Sequence, residues 1–179
     1  MVSGSPLSID LDGWLDGVTR VVSPNFDSRP QGTSVSLIVI HNISLPPGIF
    51  SGTDIQALFT NTLDHRAHPF YSGLTGLRVS AHFLIRRPGD IIQFVSCFDR
   101  AWHAGQSSWR GRERCNDFSI GIELEGSDEL PFEEVQYQEL ARLVLAIRQF
   151  YPIEAIVGHS DIAPGRKTDP GPFFDWPRI

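Results

Sequence analysis

Cysteine is scarce in this chain: two residues in 179, Cys97 and Cys115. Neither has a second Cys or a His at zinc-finger spacing, so a thiolate-built structural metal site is excluded. Basic residues are also in deficit, 15 against 21 acidic ones, for a net charge of -6. That balance gives no support to a nucleic-acid binder, which needs a basic face. No apolar run is long enough to span a bilayer, and neither repeats, low-complexity tracts nor linkers interrupt the chain. Met1 to Asp12 shows no basic segment followed by an apolar one, so no export signal is expected. A cytoplasmic protein with free thiols, no membrane or nucleic-acid partner and a monomeric state is the corresponding expectation.

What is present suits one globular domain. The composition is 41% hydrophobic and 20% charged, which excludes a disordered or fibrous class. Residues 1–34, rich in Gly, Pro, Ser and Asp, are read as an N-terminal arm packed on a domain spanning 35–179. Val35 to Ile40 is almost wholly apolar and β-branched, the pattern of a strand buried on both faces. Thr53 to Leu63 places Ile55, Leu58 and Phe59 on one helical face. Ser80 to Ile85 and Ile91 to Val95 flank Arg87-Pro88-Gly89-Asp90 and predict a hairpin. Residues 101–117 read as a long polar loop. Phe118 to Leu124 alternates with period two, hence a strand. Glu133 to Tyr151 is the longest helix, its stripe formed by Leu140, Leu143, Val144 and Ile147, with Pro152 ending it. Ala155 to Val157 is a short strand. The fold class expected is α/β: a mixed sheet flanked by helices.

Two of the six histidines, His41 and His159, each follow directly on a short apolar strand. Asp169 comes ten residues after His159. Two imidazoles and a carboxylate leave one position of a tetrahedral zinc open, the pattern of a catalytic site. Taken singly, a strand-end His ordinarily finds a local hydrogen bond, and Asp169 reads as a turn residue before proline. Residue types alone leave both readings open. Glu123 lies on the face of its strand shared with Gly121 and Glu125, where a carboxylate can take a proton from a metal-activated water. Gly121 would leave space there, while Glu125 reads as a solvated position. The Lys167 ammonium is placed to stabilise an oxyanion, or is an ordinary surface lysine. Trp102, His103 and Trp109 sit in the long loop. Local clusters at Arg86–Arg87 and Arg110–Arg114 suit an acidic small substrate.

Longer motifs add a resemblance. Ser23-Pro24-Asn25-Phe26-Asp27, Ile40-His41-Asn42-Ile43-Ser44-Leu45-Pro46-Pro47-Gly48 and Arg100-Ala101-Trp102-His103-Ala104-Gly105 are similar to segments of the AmpD-type N-acetylmuramoyl-L-alanine amidases. So are Asn116-Asp117-Phe118-Ser119-Ile120-Gly121-Ile122-Glu123 and Gly158-His159-Ser160-Asp161-Ile162-Ala163-Pro164-Gly165-Arg166-Lys167-Thr168-Asp169-Pro170-Gly171. The resemblance covers about Trp14 to Trp176. It implies the zinc amidase fold shared with peptidoglycan recognition proteins and phage lysozyme-amidases. It implies zinc held by His41, His159 and Asp169, with Glu123 and Lys167 as catalytic helpers. Substrate contacts are implied for Trp102, His103, Arg78 and Arg114. The implied substrate is a soluble 1,6-anhydro-N-acetylmuramyl peptide of cell-wall recycling, cut between the lactyl group and L-alanine. In some bacteria loss of such enzymes raises β-lactamase expression. Relatives that only bind peptidoglycan have a zinc ligand replaced; here all three positions hold competent residues. Where relatives often have His-Pro-Tyr, this chain has His68-Pro69-Phe70.

Overall fold

A run of β-branched residues that can be buried on both sides belongs at the centre of a sheet, and β3 (Leu37–Ile43) is there. The computed structural model describes residues 6–179, so Met1–Ser5, the start of the arm and of the stretch read for an export signal, lie outside the described residues. The main sheet has six strands: β1 (Thr19–Arg20), β3, β4 (Phe83–Ile85), β5 (Ile91–Gln93), β9 (Ser119–Glu125) and β10 (Ala155–Gly158). Their spatial order is β1-β5-β4-β9-β3-β10. β3, β9, β10 and β4 run parallel; the β4–β5 hairpin supplies the antiparallel pair. The mixed α/β sheet and this hairpin agree with the sequence pattern. The edge strand β1 comes from within residues 6–34, and Leu15 just before it is buried in the core.

Two smaller ribbons accompany the main sheet among the described residues. β2 (Phe26–Ser28) pairs with β6 (Asp99–Ala101), and β7 (Ser108–Trp109) pairs with β8 (Arg112–Glu113). The β7–β8 ribbon folds part of what the sequence reads as a long polar loop. Its two-residue turn is Arg110-Gly111, both at positive φ, the handedness that matches strand twist.

Period-two alternation divides the sheet into two faces. Ile38, Ile40, Phe83, Ile85, Ile120, Ile122 and Leu124 pack against Leu140, Leu143, Val144 and Ile147 of α2 (Glu134–Phe150). Buried Gln136 ties that helix to the sheet by donating to the carbonyls of Ile85 and Glu125, 3.1 Å each. The other face is covered in two places: Leu84 and Ile92 meet α1 (Asp54–Phe59), and Leu37 and Val39 meet Cys115, Phe118 and Ile162. α1 is shorter than the apolar spacing predicts, because its chain turns at Thr60-Asn61, where Asn61 adopts φ 62°. Both cysteines are buried free thiols. Among the described residues no helix is long and apolar enough to cross a membrane.

One reading is corrected. Glu125 is not solvated: it is 1% exposed, because β9 is covered on both faces. Its carboxylate accepts the Arg87 backbone N–H at 3.0 Å and lies 3.6 Å from the Arg86 guanidinium.

Candidate active site

Strand register places the chemistry. β3 and β10 run side by side with Gly158 opposite Ile40, so His159, just past the end of β10, comes beside His41, which lies within β3 two residues before its end rather than just after the strand. His159 opens the short helix α3 (His159–Ile162), and the turn that follows returns Asp169, whose carbonyl accepts the Ser160 N–H at 3.0 Å. His41 Nδ1 lies 3.0 Å from His159 Nδ1 and 3.0 Å from Asp169 Oδ2; His159 Nδ1 lies 3.1 Å from the same oxygen. Both imidazoles are buried and Asp169 is partly buried. The side chains of His41, His159 and Asp169, read from distant sequence positions as candidate ligands, therefore converge on one point.

That triangle fits a metal ion. His159 Nε2 is 3.0 Å from the Ala104 carbonyl, which can only accept, so Nε2 carries a proton and Nδ1 faces the triangle. Burial pushes His41 down to about 4 against the opposing pull of Asp169, so its imidazole is neutral at pH 7. Burial disfavours the Asp169 carboxylate, but the two imidazoles outweigh it and hold the group below the usual carboxylate range. A neutral imidazole and a carboxylate turning acceptor atoms on one point call for a cation between them. Donors about 2.0–2.2 Å from a tetrahedral zinc stand roughly 3.3–3.5 Å apart, so the triangle need open only a few tenths of an ångström.

Glu123 sits opposite His41 in the β3–β9 register. It is 8% exposed, and its Oε2 has no hydrogen-bond partner among the described residues. Burial, reinforced by the Asp169 carboxylate, raises its pKa well above the ordinary value, with Lys167 opposing. An unpartnered buried carboxylate beside a metal-fitting triangle is poised to exchange a proton with whatever enters. The space at Gly121 is not open beside it: the His103 ring fills it, and a Cβ on Gly121 would fall 2.4 Å from His103 Cγ.

A cleft of about 320 Å³ opens next to these groups, lined among others by Arg78, Trp102, His103, His159, Arg166 and Lys167. Trp102 is held by its indole N–H on Asp27, 3.2 Å, and its backbone N–H on Ser80 Oγ, 3.0 Å. His103 has both ring nitrogens engaged, Nδ1 with His41 Nε2 at 2.9 Å and Nε2 with Ser119 Oγ at 3.2 Å. Arg114 does not line this cleft. It is 67% exposed, pairs with Asp117 at 3.3 Å and borders a neighbouring hollow of about 400 Å³ that shares Arg166. Phe70, where the resemblance led to a tyrosine, is exposed at the surface. Residue typing missed Asn116, whose Oδ1 accepts from the His103 and Ala104 amides, and Arg166, which donates to the Ala104 carbonyl at 2.8 Å. Backbone and amide contacts of that kind leave no signature in a sequence.

The family model described as N-acetylmuramoyl-L-alanine amidase matches residues 31–172. The chain belongs to that family. This amidase is 59% identical over 169 residues to the 1,6-anhydro-N-acetylmuramyl-L-alanine amidase AmpD of Escherichia coli (strain K12), covering 93% of the chain and 92% of the relative. A crystal structure of a selenomethionine AmpD derivative superposes with a TM-score of 0.93 at 58% identity, over 95% of this chain and 96% of that one. The amidase AmiD from E. coli, solved in complex with the substrate anhydro-N-acetylmuramic acid-L-Ala-D-gamma-Glu-L-Lys, is 31% identical at TM-score 0.60, over 98% of this chain and 65% of that one.

Proposed function

We propose that this amidase hydrolyses the amide between the lactyl group of 1,6-anhydro-N-acetylmuramic acid and the L-alanine of a stem peptide, with zinc held by His41, His159 and Asp169. The observation that carries this reading is the 3.0–3.1 Å triangle of ligand atoms beside the unpartnered Glu123 carboxylate. The names of the relatives support the bond, and the AmiD complex supports a soluble muropeptide as the substrate class. The reaction belongs to cytoplasmic cell-wall recycling in this reading, where loss of the enzyme would raise β-lactamase expression. The chain acts as a monomer, on neither nucleic acid nor membrane.

When bound, zinc supplies Lewis acidity that polarises the scissile carbonyl and acidifies the attacking water. The protein's own groups do the rest. Glu123 takes a proton from the water as its oxygen attacks the carbonyl carbon. Lys167, on the cleft wall, faces the negative charge that develops on the carbonyl oxygen. Glu123 then returns the proton to the alanine nitrogen as the carbon–nitrogen bond breaks. Its raised proton affinity suits both transfers. Trp102 offers an aromatic edge to the sugar and Arg78 a guanidinium to the stem-peptide carboxylates; Arg114, outside the cleft, can reach only a part of the peptide that extends into the neighbouring hollow sharing Arg166.

Incubation with soluble anhydromuropeptide and with intact sacculi tests this directly. Release of a peptide with a new N-terminal L-alanine is expected from the soluble substrate in preference to the wall. Glu123→Gln should abolish release while zinc binding persists. Full turnover by Glu123→Gln, or preferential release from sacculi, would contradict the reading.

A further inference from the structure

The loop 102–105 reaches both candidate ligand histidines from behind. Ala104 receives the Nε2 proton of His159 on its carbonyl. Among the described residues no backbone carbonyl plays that role for His41; its Nε2 meets the imidazole of His103 at 2.9 Å. We propose that His103 is a positioning residue: its Nδ1 accepts the Nε2 proton of His41 and so fixes the tautomer that aims the His41 Nδ1 lone pair at the metal. This proposal rests on the zinc reading above and moves His103 from substrate contact to ligand support.

The proton positions follow from one fixed end. Ser119 Oγ lies 2.6 Å from the Cys115 carbonyl, and a carbonyl cannot donate. The single hydroxyl proton therefore points at Cys115. Ser119 Oγ is left to accept, so the 3.2 Å contact to His103 Nε2 carries its proton on the imidazole. A neutral His103 with Nε2–H has only a lone pair on Nδ1. His41 must then donate from Nε2, and its Nδ1, 3.0 Å from Asp169 Oδ2, is free of hydrogen. Had His103 held its proton on Nδ1, His41 would present N–H where a ligand lone pair is needed. Relays that fix a ligating imidazole this way are worth about 10–100-fold in metal affinity.

The seat of His103 is built for this geometry. Its ring lies against the bare backbone of Gly121, where a Cβ would stand 2.4 Å from Cγ. His82, whose Nδ1 accepts the Gly121 N–H at 3.0 Å, holds that strand segment in place. Asn116 pins the loop backbone through the His103 N–H at 3.2 Å and the Ala104 N–H at 2.8 Å. His103 is 9% exposed, so its ring offers the cleft little but an edge.

The test is zinc affinity by competition with a chromophoric chelator on the full chain, for the parent, His103→Phe, His103→Asn and Ser119→Ala. His103→Phe keeps a ring without an acceptor and should bind zinc about 10–100-fold more weakly. His103→Asn places its Oδ1 where Nδ1 stood and should recover most of that loss. Ser119→Ala frees His103 to change tautomer and should weaken binding in the same direction by less. Equal affinity for His103→Phe and parent overturns the proposal, as does His103→Asn binding no better than His103→Phe, which marks a packing role. Should His103→Phe not fold, Ser119→Ala and the ring 15N spectrum of the zinc-loaded parent decide. The expected spectrum has hydrogen-bonded Nε2–H on both His41 and His103; a proton on His103 Nδ1 overturns it. A parent that binds no zinc fails the metal reading and this proposal with it, whereas a zinc-binding parent with unaltered variants fails this proposal alone.

Discussion

Acid should weaken this fold through His82, a residue that does no chemistry. His82 is fully buried on the floor beneath the cleft; Nδ1 accepts the Gly121 N–H at 3.0 Å and Nε2 donates to the Asp99 carbonyl at 3.1 Å. The Arg29 guanidinium lies 3.1 Å from Nε2. A second proton on this ring would turn Nδ1 into a donor facing a donor and set imidazolium beside guanidinium. Burial, then Arg29, accordingly holds the group down to about 3 from an ordinary 6.5. The folded state thus refuses a proton that the unfolded chain accepts below pH 6.5. Stability is complete above that pH and falls as pH drops from 6.5 toward 3. Each unit below 6.5 costs about 1.4 kcal/mol, so the loss from pH 7.5 to 5 is about 2 kcal/mol. Urea unfolding with chelator in both arms isolates the effect from metal release. His82→Asn retains an acceptor for Gly121 and cannot titrate. Its stability deficit against the parent should shrink by about 2 kcal/mol between pH 7.5 and 5. A deficit that stays constant over that range would refute the buried neutral imidazole.

Three further outcomes are expected. Gly121→Ala should cost about 1–3 kcal/mol in urea unfolding, since its Cβ lands 2.4 Å from the His103 ring, and should weaken zinc binding as well; an unchanged stability would mean the ring is free to move aside. Lys167 is the single lysine in the chain, so amine-selective acylation reads that side chain apart from the N-terminus; acylation and Lys167→Ala should each lower turnover about 10²–10³-fold, and unchanged turnover would remove it from the oxyanion role. Arg100 joins Asp27 at 2.5 Å and Asp117 at 2.5 Å, and its hydrogen bond lowers the Asp27 pKa below 3.8. That contribution is present above pH about 4 and is lost as pH falls through the folded value, so Arg100→Gln should flatten the acid limb of thermal stability; an identical acid limb would argue against the pairing.

The sequence carried the parts of this molecule that obey short-range rules. β3, β9, the β4–β5 hairpin and α2 follow from apolar periodicity, and the end of β10 marks His159, whereas β3 runs on two residues past His41 because Asn42 and Ile43 still pair with β9. Strand order is another matter. Nothing local says that β3 lies between β9 and β10, yet that pairing sets Glu123 opposite His41 and brings His159 alongside. Glu125 misled because alternation reads as one solvated face, whereas the strand is covered on both sides by α2 and by loops far away in sequence. Gly121 likewise reads as space for a ligand, but tertiary packing gives that space to His103. Backbone acceptors such as the Ala104 carbonyl, which meets His159, and the Cys115 carbonyl, which meets the Ser119 hydroxyl, are invisible to residue typing because every residue has a carbonyl. The long motifs near His159 and Asp169 did more than spacing alone, since widely separated ligands have no fixed interval.

The central claim is that His41, His159 and Asp169 hold the ion on which hydrolysis depends. Stepwise zinc addition to metal-stripped protein, with release of L-alanine-terminated peptide from anhydromuropeptide followed at each step, tests it most directly. Activity should rise linearly and level off at one equivalent, and Asp169→Ala should stay inactive across the same additions. Full activity in the stripped protein, or an Asp169→Ala variant that titrates like the parent, would contradict the account.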